Sequence, residues 1–478
     1  MKLRHLLQLL PAVVSFAADE PPRKDPFLAP DAEIAAMIPR GENSVRQVSV
    51  QLDWIKLPHL TANQLLRRHL QHSTEGDALY AVVQELITQK KAERLDLNAV
   101  LVRGGQRSKV EATVETAYAT EFDPPQVNDR ITVGGETVRE NISPVTPNSF
   151  TFRNVGHTVE VEATVSANGR IIDLNLAAEW VEHLTDWSWG TGVSEIKQPV
   201  FGTDKLSNQM LCGNGEWELA GLFTPPWLPE AGKPPGCAPL PADRVFLFVR
   251  GTTDQKPKEN PPQPVNGVKQ VTVLAEWIET DTATASALLA QHPAFADSTP
   301  LREALEPMIT DGRATLLEST ALPIRGGQRS RIESITEFPC PTENDPPQGA
   351  NTVFGQAPVQ PVPQTPRGAM VAPACPNSFS FRSLGTTMEI EASVGEDGFT
   401  IDLNCSPELI FLTGFNSHGQ GLSEMKQPHF QSLKTTCQLL VPPGAPSMIA
   451  AFDAPLTDTK PQPHARARKV LLFIRAIL

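Results

Sequence analysis

The chain has 478 residues, of which 40% are hydrophobic and 20% charged, a composition typical of a globular protein with more than one core. Its 45 prolines favour turns and strand edges over long helices. The net charge of −13 opposes phosphate binding, which needs a clustered basic surface, so nucleic acid is excluded as the expected partner.

The N-terminal segment, residues 1–17, has the pattern of a secretory signal peptide. Lys2 and Arg4 precede an apolar run that ends in a small-x-small cleavage pattern at Ala17. The run is too short to span a bilayer; the alternative is a buried N-terminal helix. Residues 18–44 are proline-rich and charged, which predicts a flexible leader. We therefore expect an exported protein, located in the periplasm or at the outer membrane.

After the leader, the hydrophobic pattern predicts strands with two short helices among them. Alternating apolar residues indicate half-buried strands, and apolar residues at helical spacing indicate amphipathic helices. The predicted helices are Thr61–His72 and Asp77–Thr88. The predicted strands or hairpin arms are Val45–Lys56, Leu95–Val102, Ser108–Thr116, Asn148–Asn154, Val159–Val165, Ile171–Leu176, Gln198–Phe201, Leu206–Leu211, Trp217–Phe223 and Arg244–Arg250.

The whole pattern occurs twice. Arg103–Gln126 recurs as Arg325–Gln348 at a constant offset of 222 residues, and motifs later in each copy recur at an offset of 229. We name residues 45–250 repeat 1 and residues 268–478 repeat 2, joined by a proline-rich linker at 251–267. The predicted fold is α+β and mainly β, each repeat being a mostly antiparallel sheet with one or two short helices.

Glycine-containing dipeptides mark the structural turns of both repeats. Each Gly-Gly pair is followed by a strand and not by a helix, which predicts a tight hairpin and disfavours a phosphate-binding loop. An Asn-Gly pair and its Asp-Gly counterpart predict hairpin turns, the first of type I′. The turn residues are Gly104, Gly105, Gly326, Gly327, Asn168, Gly169, Asp397 and Gly398.

Six cysteines in an exported chain are compatible with three disulfides, for which 15 connectivities are open. One candidate set joins cysteines that bracket a loop or that lie on strands expected to be neighbours. Its pairs are Cys212 with Cys237, Cys340 with Cys375, and Cys405 with Cys437. The chain contains no CxxC motif, which disfavours a zinc or redox site.

Two groups of residues resemble chemical sites only superficially. His69 and His72 have a short metal-ligand spacing, but no third ligand is near in sequence, so a solvated helix face is expected. Glu179, Glu182 and His183 suggest acid–base chemistry, yet their spacing also suits a strand end or turn. No nucleophile elbow, HExxH or kinase motif occurs. We predict no enzyme activity, metal, cofactor or small-molecule ligand.

Two further sets leave alternatives open. The aromatic set could form a girdle at a membrane interface or, as large burial energies favour, a core at one end of the sheet; it comprises Trp180, Trp187, Trp189 and Phe201, with Phe411, Phe415, His418 and Phe430 in repeat 2. The acidic set could line a water-filled lumen or meet bulk solvent; it comprises Glu111, Glu115, Glu160 and Glu162.

Repeat 1 presents four motifs in a fixed order: a helix, strand and turn at Leu79–Arg107, TEFDPP within Tyr118–Pro125 with TPNSF within Val145–Gly156, a hairpin at Gly156–Leu176, and GNGEWELAGLF at Gly213–Phe223. Repeat 2 retains the first three. This order resembles the C-terminal domain of bacterial secretins, the ring-forming outer-membrane channels of type II/III secretion systems and type IV pili. Two fused units depart from the usual architecture of that family.

The resemblance implies two tandem secretin-like repeats in a non-enzymatic cell-envelope protein that acts in or beside a secretion or pilus complex. Its expected partners are proteins of that complex, or further copies of itself bound through strand edges. Contact with the outer membrane also follows from the resemblance. The alternative is a soluble periplasmic binding or scaffold module that kept the fold without forming a pore.

Overall fold

The computed structural model describes residues 47–69, 76–127, 131–133, 136–139, 142–226, 242–253, 269–292, 297–349, 371–455 and 468–478, all within the unit Arg46–Leu478. The predicted signal peptide and leader, most of the predicted linker, and Cys237 lie outside these residues. The linker begins later than predicted, because the last strand of repeat 1 continues to Thr253 by pairing with the first strand.

Repeat 1 contains the helices α1 (His59–His69) and α2 (Gly76–Thr88). Its strands are β1 (Gln47–Pro58), β2 (Glu93–Arg103), β3 (Arg107–Asp123), β4 (Gln126–Val127), β5 (Ile131–Val133), β6 (Glu136–Arg139), β7 (Ile142–Ser143), β8 (Thr146–Val165), β9 (Ile171–Trp189), β10 (Ile196–Gly213), β11 (Trp217–Phe223) and β12 (Asp243–Thr253).

Repeat 2 contains the helices α3 (Thr282–Gln291) and α4 (Thr299–Thr310). Its strands are β13 (Gln270–Asp281), β14 (Thr315–Arg325), β15 (Arg329–Asp345), β16 (Gln348–Gly349), β17 (Val371–Ala372), β18 (Cys375–Val394), β19 (Ile401–His418), β20 (Met425–Lys434), β21 (Cys437–Val441), β22 (Pro446–Asp453) and β23 (Arg468–Ile477). The predicted class, α+β and mainly β with antiparallel sheets, is confirmed.

The long strands form two large antiparallel sheets, each shared by both repeats. Sheet A has the order β2-β1-β12-β11-β14-β13-β23-β22. Sheet B has the order β15-β10-β9-β8-β3-β18-β19-β20, with β21 beside β19. A further pairing of β15 with β18 closes the strands β15, β10, β9, β8, β3 and β18 into a ring. The boundary of the two repeats as domains remains a prediction.

The main core lies between the two sheets, and the helices cover the other face of sheet A. Alternate residues of β1, such as Val50 and Leu52, meet alternate residues of β8 and β9 in this core. Ile55 and Phe246, on the other face, pack against α1 and α2. Strand β12, in the middle of sheet A, is therefore buried on both faces, which explains its unbroken apolar run Val245–Val249.

The strands of sheet B are longer than the sequence predicts. The predicted strand Ile171–Leu176 continues to Trp189. The two predicted arms Gln198–Phe201 and Leu206–Leu211 belong to one strand, β10. The prediction was wrong because β10 pairs along both edges, so backbone hydrogen bonds carry it through the polar stretch, and a bulge at Val200/Phe201 shifts its apolar alternation.

The Gly-Gly pairs are turns, but the predicted hairpins are wrong. Gly105 has φ 72° and Gly327 has φ 77°, a backbone region that favours glycine. Each turn leads from sheet A into sheet B, so the strands it joins are not ladder partners. The N–H of Gly105 donates to the carbonyl of Ala163 at 2.8 Å, which fixes the turn against the neighbouring hairpin.

The Asn-Gly turn joins β8 to β9 as a hairpin, but it is not of type I′. Only Gly169 has a positive φ, of 73°, whereas type I′ needs one at Asn168 as well. The Asn168 side chain instead accepts the N–H of Arg170 at 3.0 Å. Asp397, the repeat 2 counterpart, accepts the N–H groups of Phe399 and Thr400. The hydrogen bond from the Thr400 hydroxyl, followed by these two backbone hydrogen bonds, lowers the pKa of Asp397 to about 2. Local side-chain bonds thus replace the second left-handed residue.

Candidate functional site at the joint and at the sheet edges

Repeat 1 meets repeat 2 by strand pairing in both sheets. In sheet A, Leu222 of β11 lies opposite Ala321 of β14. In sheet B, β10 pairs with β15 over seven residues beginning with Phe201 opposite Glu337. The ring closes where Glu121 of β3 meets β18. We call these contacts between the repeats the joint.

A hydrogen-bonded group of three side chains, centred on one carboxylate, crosses the joint in sheet B. Glu337 of β15 accepts hydrogen bonds from the Arg153 guanidinium at 2.6 Å and from the Thr203 hydroxyl at 2.8 Å. Burial would lower the pKa of Arg153, but the hydrogen bond and charge of Glu337 raise it above its ordinary value. We call Glu337, Arg153 and Thr203 the Glu337 triad; it fixes the register of β15 on β10.

Two further polar contacts cross the joint near the Gly-Gly turn of repeat 2. Arg325 forms an ion pair with Asp173 of β9 at 2.8 Å. The side-chain carbonyl of Gln270 accepts the N–H of Leu211 at 2.6 Å. In each contact, one residue comes from repeat 2 and the other from the β9–β10 hairpin of repeat 1.

Aromatic side chains fill the joint inside the ring. Phe379 of β18 packs on Phe122, with ring centroids 5.8 Å apart. Phe381 packs on Tyr118 at 5.4 Å and on Phe201 at 6.3 Å. These contacts place the NSFSF segment of repeat 2 against β3 and β10 of repeat 1.

The helix layer adds an ion-pair network between the repeats. Arg302 of α4 makes two hydrogen bonds to Glu276, at 2.8 and 2.9 Å, and one to Glu306 at 2.9 Å. Glu306 also binds Arg67 of α1. Burial would raise the pKa of Glu276, but the charge and hydrogen bonds of Arg302 lower it below its ordinary value.

A buried polar cluster lies behind the joint. Glu318 accepts the N–H of Ser319 at 2.8 Å and a hydrogen bond from the Thr224 hydroxyl, and Arg244 lies 3.9 Å away. Burial raises the pKa of Glu318 and of the nearby Asp204. Because these carboxyls are buried, they have the surroundings of a structural cluster and lack access to a substrate.

The sequence-predicted aromatic set lies in packed interiors. Phe201 and Phe411 are buried, and Trp180 packs edge-on against Trp54 at 5.6 Å. Trp187 stacks on Phe415 across the joint at 5.8 Å. Trp189 is buried in the same cluster, Phe430 is half-buried and His418 is exposed. This placement agrees with the core interpretation of the set.

The predicted acid–base residues do not converge on one site. Glu179 binds Arg153 and Lys205, whereas His183 binds Asp186 at 2.9 Å. Burial raises the pKa of Glu182. All three lie within β9, which corrects the expected strand end or turn.

Metal binding and membrane spanning were tested on the described part of the chain. There, no group of three His, Cys, Asp or Glu side chains could hold a metal ion. His69 ends α1, and His72 lies outside the described residues. No described helix is both long and apolar enough to cross a membrane.

The five cysteines that the structure describes carry free thiols. Cys405 and Cys437 lie opposite each other on β19 and β21, as predicted, with their sulfur atoms 3.4 Å apart. The Cys340–Cys375 candidate is not supported: on the paired strands Cys340 lies opposite Ser380, whereas Cys375 lies opposite Asp345. Cys212 is buried, and its candidate partner lies outside the described residues.

The acidic set lies on strands β3 and β8. Lys109 binds Glu111 at 2.5 Å, and Arg107 binds Glu160 at 2.9 Å and Glu162 at 3.8 Å. Glu115, the fourth member, is exposed. Three of the four carboxylates are thus paired with cations of β3.

Sequence reasoning missed several exposed apolar residues on strands β2, β3 and β8. Phe150 and Phe152 of β8 are 58% and 65% exposed, Val114 of β3 is 69% exposed, and Leu101 of β2 is 63% exposed. The repeated NSFTF and NSFSF segments were the available signal, because the same motif is packed in repeat 2 and exposed in repeat 1. The chain matches no protein-family model, no curated protein and no solved structure.

Proposed function

We propose that this chain is a non-enzymatic structural protein of the cell envelope, built from two tandem secretin-like repeats, that acts in or beside a type II/III secretion or type IV pilus complex. The observation that carries the proposal is the joint, where one repeat continues both sheets of the other by strand pairing. A unit that extends its neighbour's sheets through strand edges is suited to forming a larger assembly from copies of one fold.

The chemistry of the described residues supports a structural role over a catalytic one. Two carboxyls whose pKa values burial raises, Asp204 and Glu318, lie in the interior behind the joint. The accessible polar residues of β9 are used in ion pairs that hold strands together. Neither group combines an exposed nucleophile with a base.

A second candidate is a soluble periplasmic binding or scaffold module. The burial of Phe201, Phe411 and Trp189 favours it, because aromatic residues that form an interfacial belt would have to face lipid headgroups. In this alternative, strand-edge contacts recruit envelope proteins without a pore.

The test is to express the tagged chain in its native host and extract the envelope with and without detergent. Each extract is analysed by native size-exclusion chromatography with light scattering and by mass spectrometry of co-purified proteins. A detergent-dependent assembly with secretion or pilus components supports the first function. Release without detergent, together with other envelope proteins, supports the scaffold. Recovery in the cytoplasmic fraction alone would rule out both.

A further inference from the structure

We propose that copies of this chain associate head to tail, and that the contact between copies repeats the joint within each chain. Strands β20 and β22 of one copy pair with β3 and β2 of the next. The inference deepens the proposed function and shares its premise of strand-edge assembly; it names a second copy of this chain as the partner and the residues that meet.

The first line of support is the position of the strand edges. At the joint, repeat 1 offers β10 and β11, and repeat 2 offers β15 and β14. The corresponding strands are β20 and β22 in repeat 2 and β3 and β2 in repeat 1. Among the described residues, β2 and β22 end sheet A, β20 ends sheet B, and β3 pairs beyond β8 only at Glu121. The edges used at the joint are thus available again, one set at each end.

The second line of support is the difference in exposure between the strands at the joint and their counterparts at the available edges. Ile332 and Thr336 of β15 are each 1% exposed at the joint, whereas Val110 and Val114, their counterparts in β3, are 36% and 69% exposed. Every residue of β11 is buried, whereas its counterpart β22 is mostly half-buried. The sheet edges differ in exposure because one set has a neighbouring repeat and the other does not.

The polar residues of the joint recur at the available edges. Glu115, Arg382 and Ser432 occupy the positions that match the Glu337 triad, and all three are exposed. Glu115 lies in repeat 1, on β3, and the other two lie in repeat 2, on β18 and β20. In the proposed contact, Glu115 of one copy accepts hydrogen bonds from Arg382 and Ser432 of another.

The two contacts near the Gly-Gly turn recur as well. Arg103 and Asp402 match the Arg325–Asp173 ion pair. Gln47 and Leu440 match the hydrogen bond between Gln270 and Leu211. Arg103, Gln47 and Leu440 are exposed, and Asp402 is half-buried. Opposite charges therefore face each other at both the internal joint and the proposed contact.

The aromatic contacts complete the comparison. Phe150 and Phe152, exposed on β8, match Phe379 and Phe381, which pack on repeat 1 at the joint. Phe430 of β20 matches Phe201, one of the rings that receive Phe381. The proposed contact covers Phe150 and Phe152, which are 58% and 65% exposed in the single chain.

The contact joins two different surfaces. We call β2, β3 and Phe150–Phe152 the front face, and β20, β22 and Arg382 the back face. A contact between unlike faces is heterologous, so it closes into a ring if its rotation closes and otherwise forms a filament. Each copy that is not associated has one front face and one back face available.

The test uses two charge-reversal variants of the full chain. The front variant carries Arg103→Glu and Glu115→Arg, and the back variant carries Arg382→Glu and Asp402→Arg. Sedimentation velocity is measured over a concentration series. Wild type is expected to form larger species as concentration rises, and each variant alone to associate about 100-fold more weakly or worse, since like charges meet at both positions.

Mixing the variants gives the decisive outcome. The front variant keeps a native back face and the back variant a native front face, and the reversed front face of the one complements the reversed back face of the other. An equimolar mixture is therefore expected to form assemblies of the wild-type size in which the two variants alternate. A chain carrying all four reversals is expected to regain the wild-type assemblies, because every pair is then complementary again.

The control is the double variant Asp311→Arg and Arg313→Asp. Its positions follow α4 and are exposed, as are their counterparts Gln89 and Lys91 in repeat 1, so the proposed contact does not reach them. It is expected to assemble like wild type. A monomeric wild type at all concentrations, or a mixture whose species stay as small as those of the separate variants, would overturn the inference.

This measurement is independent of the envelope test. Head-to-tail assembly of the purified chain, combined with a cytoplasmic location in the host, would sustain the contact and reject the proposed function. Association with secretion components by a chain that stays monomeric would do the reverse. Circular dichroism of each variant verifies that the fold is retained.

Discussion

The guanidinium of Arg153 in β8 lies 2.6 Å from the carboxylate of Glu337 in β15, although the two residues belong to different repeats. Both side chains are mostly buried, with 26% and 19% exposed. Arg153→Met leaves Glu337 without its charged donor, and we expect it to lower the free energy of unfolding by about 1–3 kcal/mol. Urea denaturation of the monomeric front variant, with and without Arg153→Met, measures the effect.

The matched control for that change is Arg382→Met in the same background. Arg382 has the same position in repeat 2 but is exposed, so we expect a change within about 0.5 kcal/mol. Equal losses for both variants would show that Arg153 contributes through the fold of its own hairpin and not through the joint.

Glu218 gives the fold a dependence on pH. Burial, with Glu216 and Asp77 nearby, raises the pKa of Glu218 to about 8. The unfolded carboxyl titrates near 4.3. Because the folded pKa is the higher one, the contribution of Glu218 to stability is complete below pH ~4 and is lost as pH rises to about 8.

Glu218→Gln removes this titration. We expect the variant to gain about 2–4 kcal/mol relative to wild type between pH 5 and pH 8, because glutamine stays neutral. Urea unfolding at both pH values measures the difference, with Glu303→Gln, an exposed residue of α4, as the control. A difference that does not change with pH would contradict the assignment.

The Cys405–Cys437 pair is placed for a cross-strand disulfide. The two residues are opposite each other on antiparallel strands, and their sulfur atoms are 3.4 Å apart. With oxidised glutathione as the oxidant, we expect one disulfide, a loss of two titratable thiols, and about 2–4 kcal/mol of added stability.

Intact-mass analysis and peptide mapping after oxidation measure this bond. Cys405→Ser should abolish it, and Cys340→Ser should leave it unchanged because Cys340 lies on a different pair of strands. A map that joins Cys437 to any cysteine other than Cys405 would contradict the strand pairing.

Position 105 requires glycine because of its backbone conformation and not because a side chain would lack space. Its φ is 72°, and an added Cβ would meet nothing within 4 Å. We expect Gly105→Val to cost about 1–2 kcal/mol, and Gly105→Asn to cost less because asparagine tolerates the left-handed region. Thermal unfolding compares the two. Equal melting temperatures for glycine and valine would refute the strained turn.

The fold class was predictable because it depends on local pattern. Val245–Val249 is an apolar run that any sheet would bury, and the alternation in β1 identifies a strand from its own residues. Strand ends in β9 and β10 were not predictable from local pattern, because ladder pairing carries both strands through polar stretches: β9 pairs with β10, and β10 also pairs with β15, which is distant in sequence.

The joint could not be predicted from the sequence for the same reason. Nothing local connects Arg153 with Glu337, or Asp173 with Arg325; these contacts exist because two sheets are continued from one repeat into the other. Once the joint is known, the repeat becomes informative. Glu115 and Arg382 are ordinary surface charges until their counterparts are seen to bind each other.

The closed ring imposes an order on folding. Strand β3 is complete early in the chain, but the pairing of Glu121 with Ser378 must wait until most of repeat 2 exists. Loop closure over such a separation is slow compared with hairpin formation, so β3, β8, β9 and β10 form first as a hairpin stack with both outer edges bare. During that interval the unpaired strand edges can pair with other chains and cause aggregation. A chaperone that shields these edges would raise the yield of native protein.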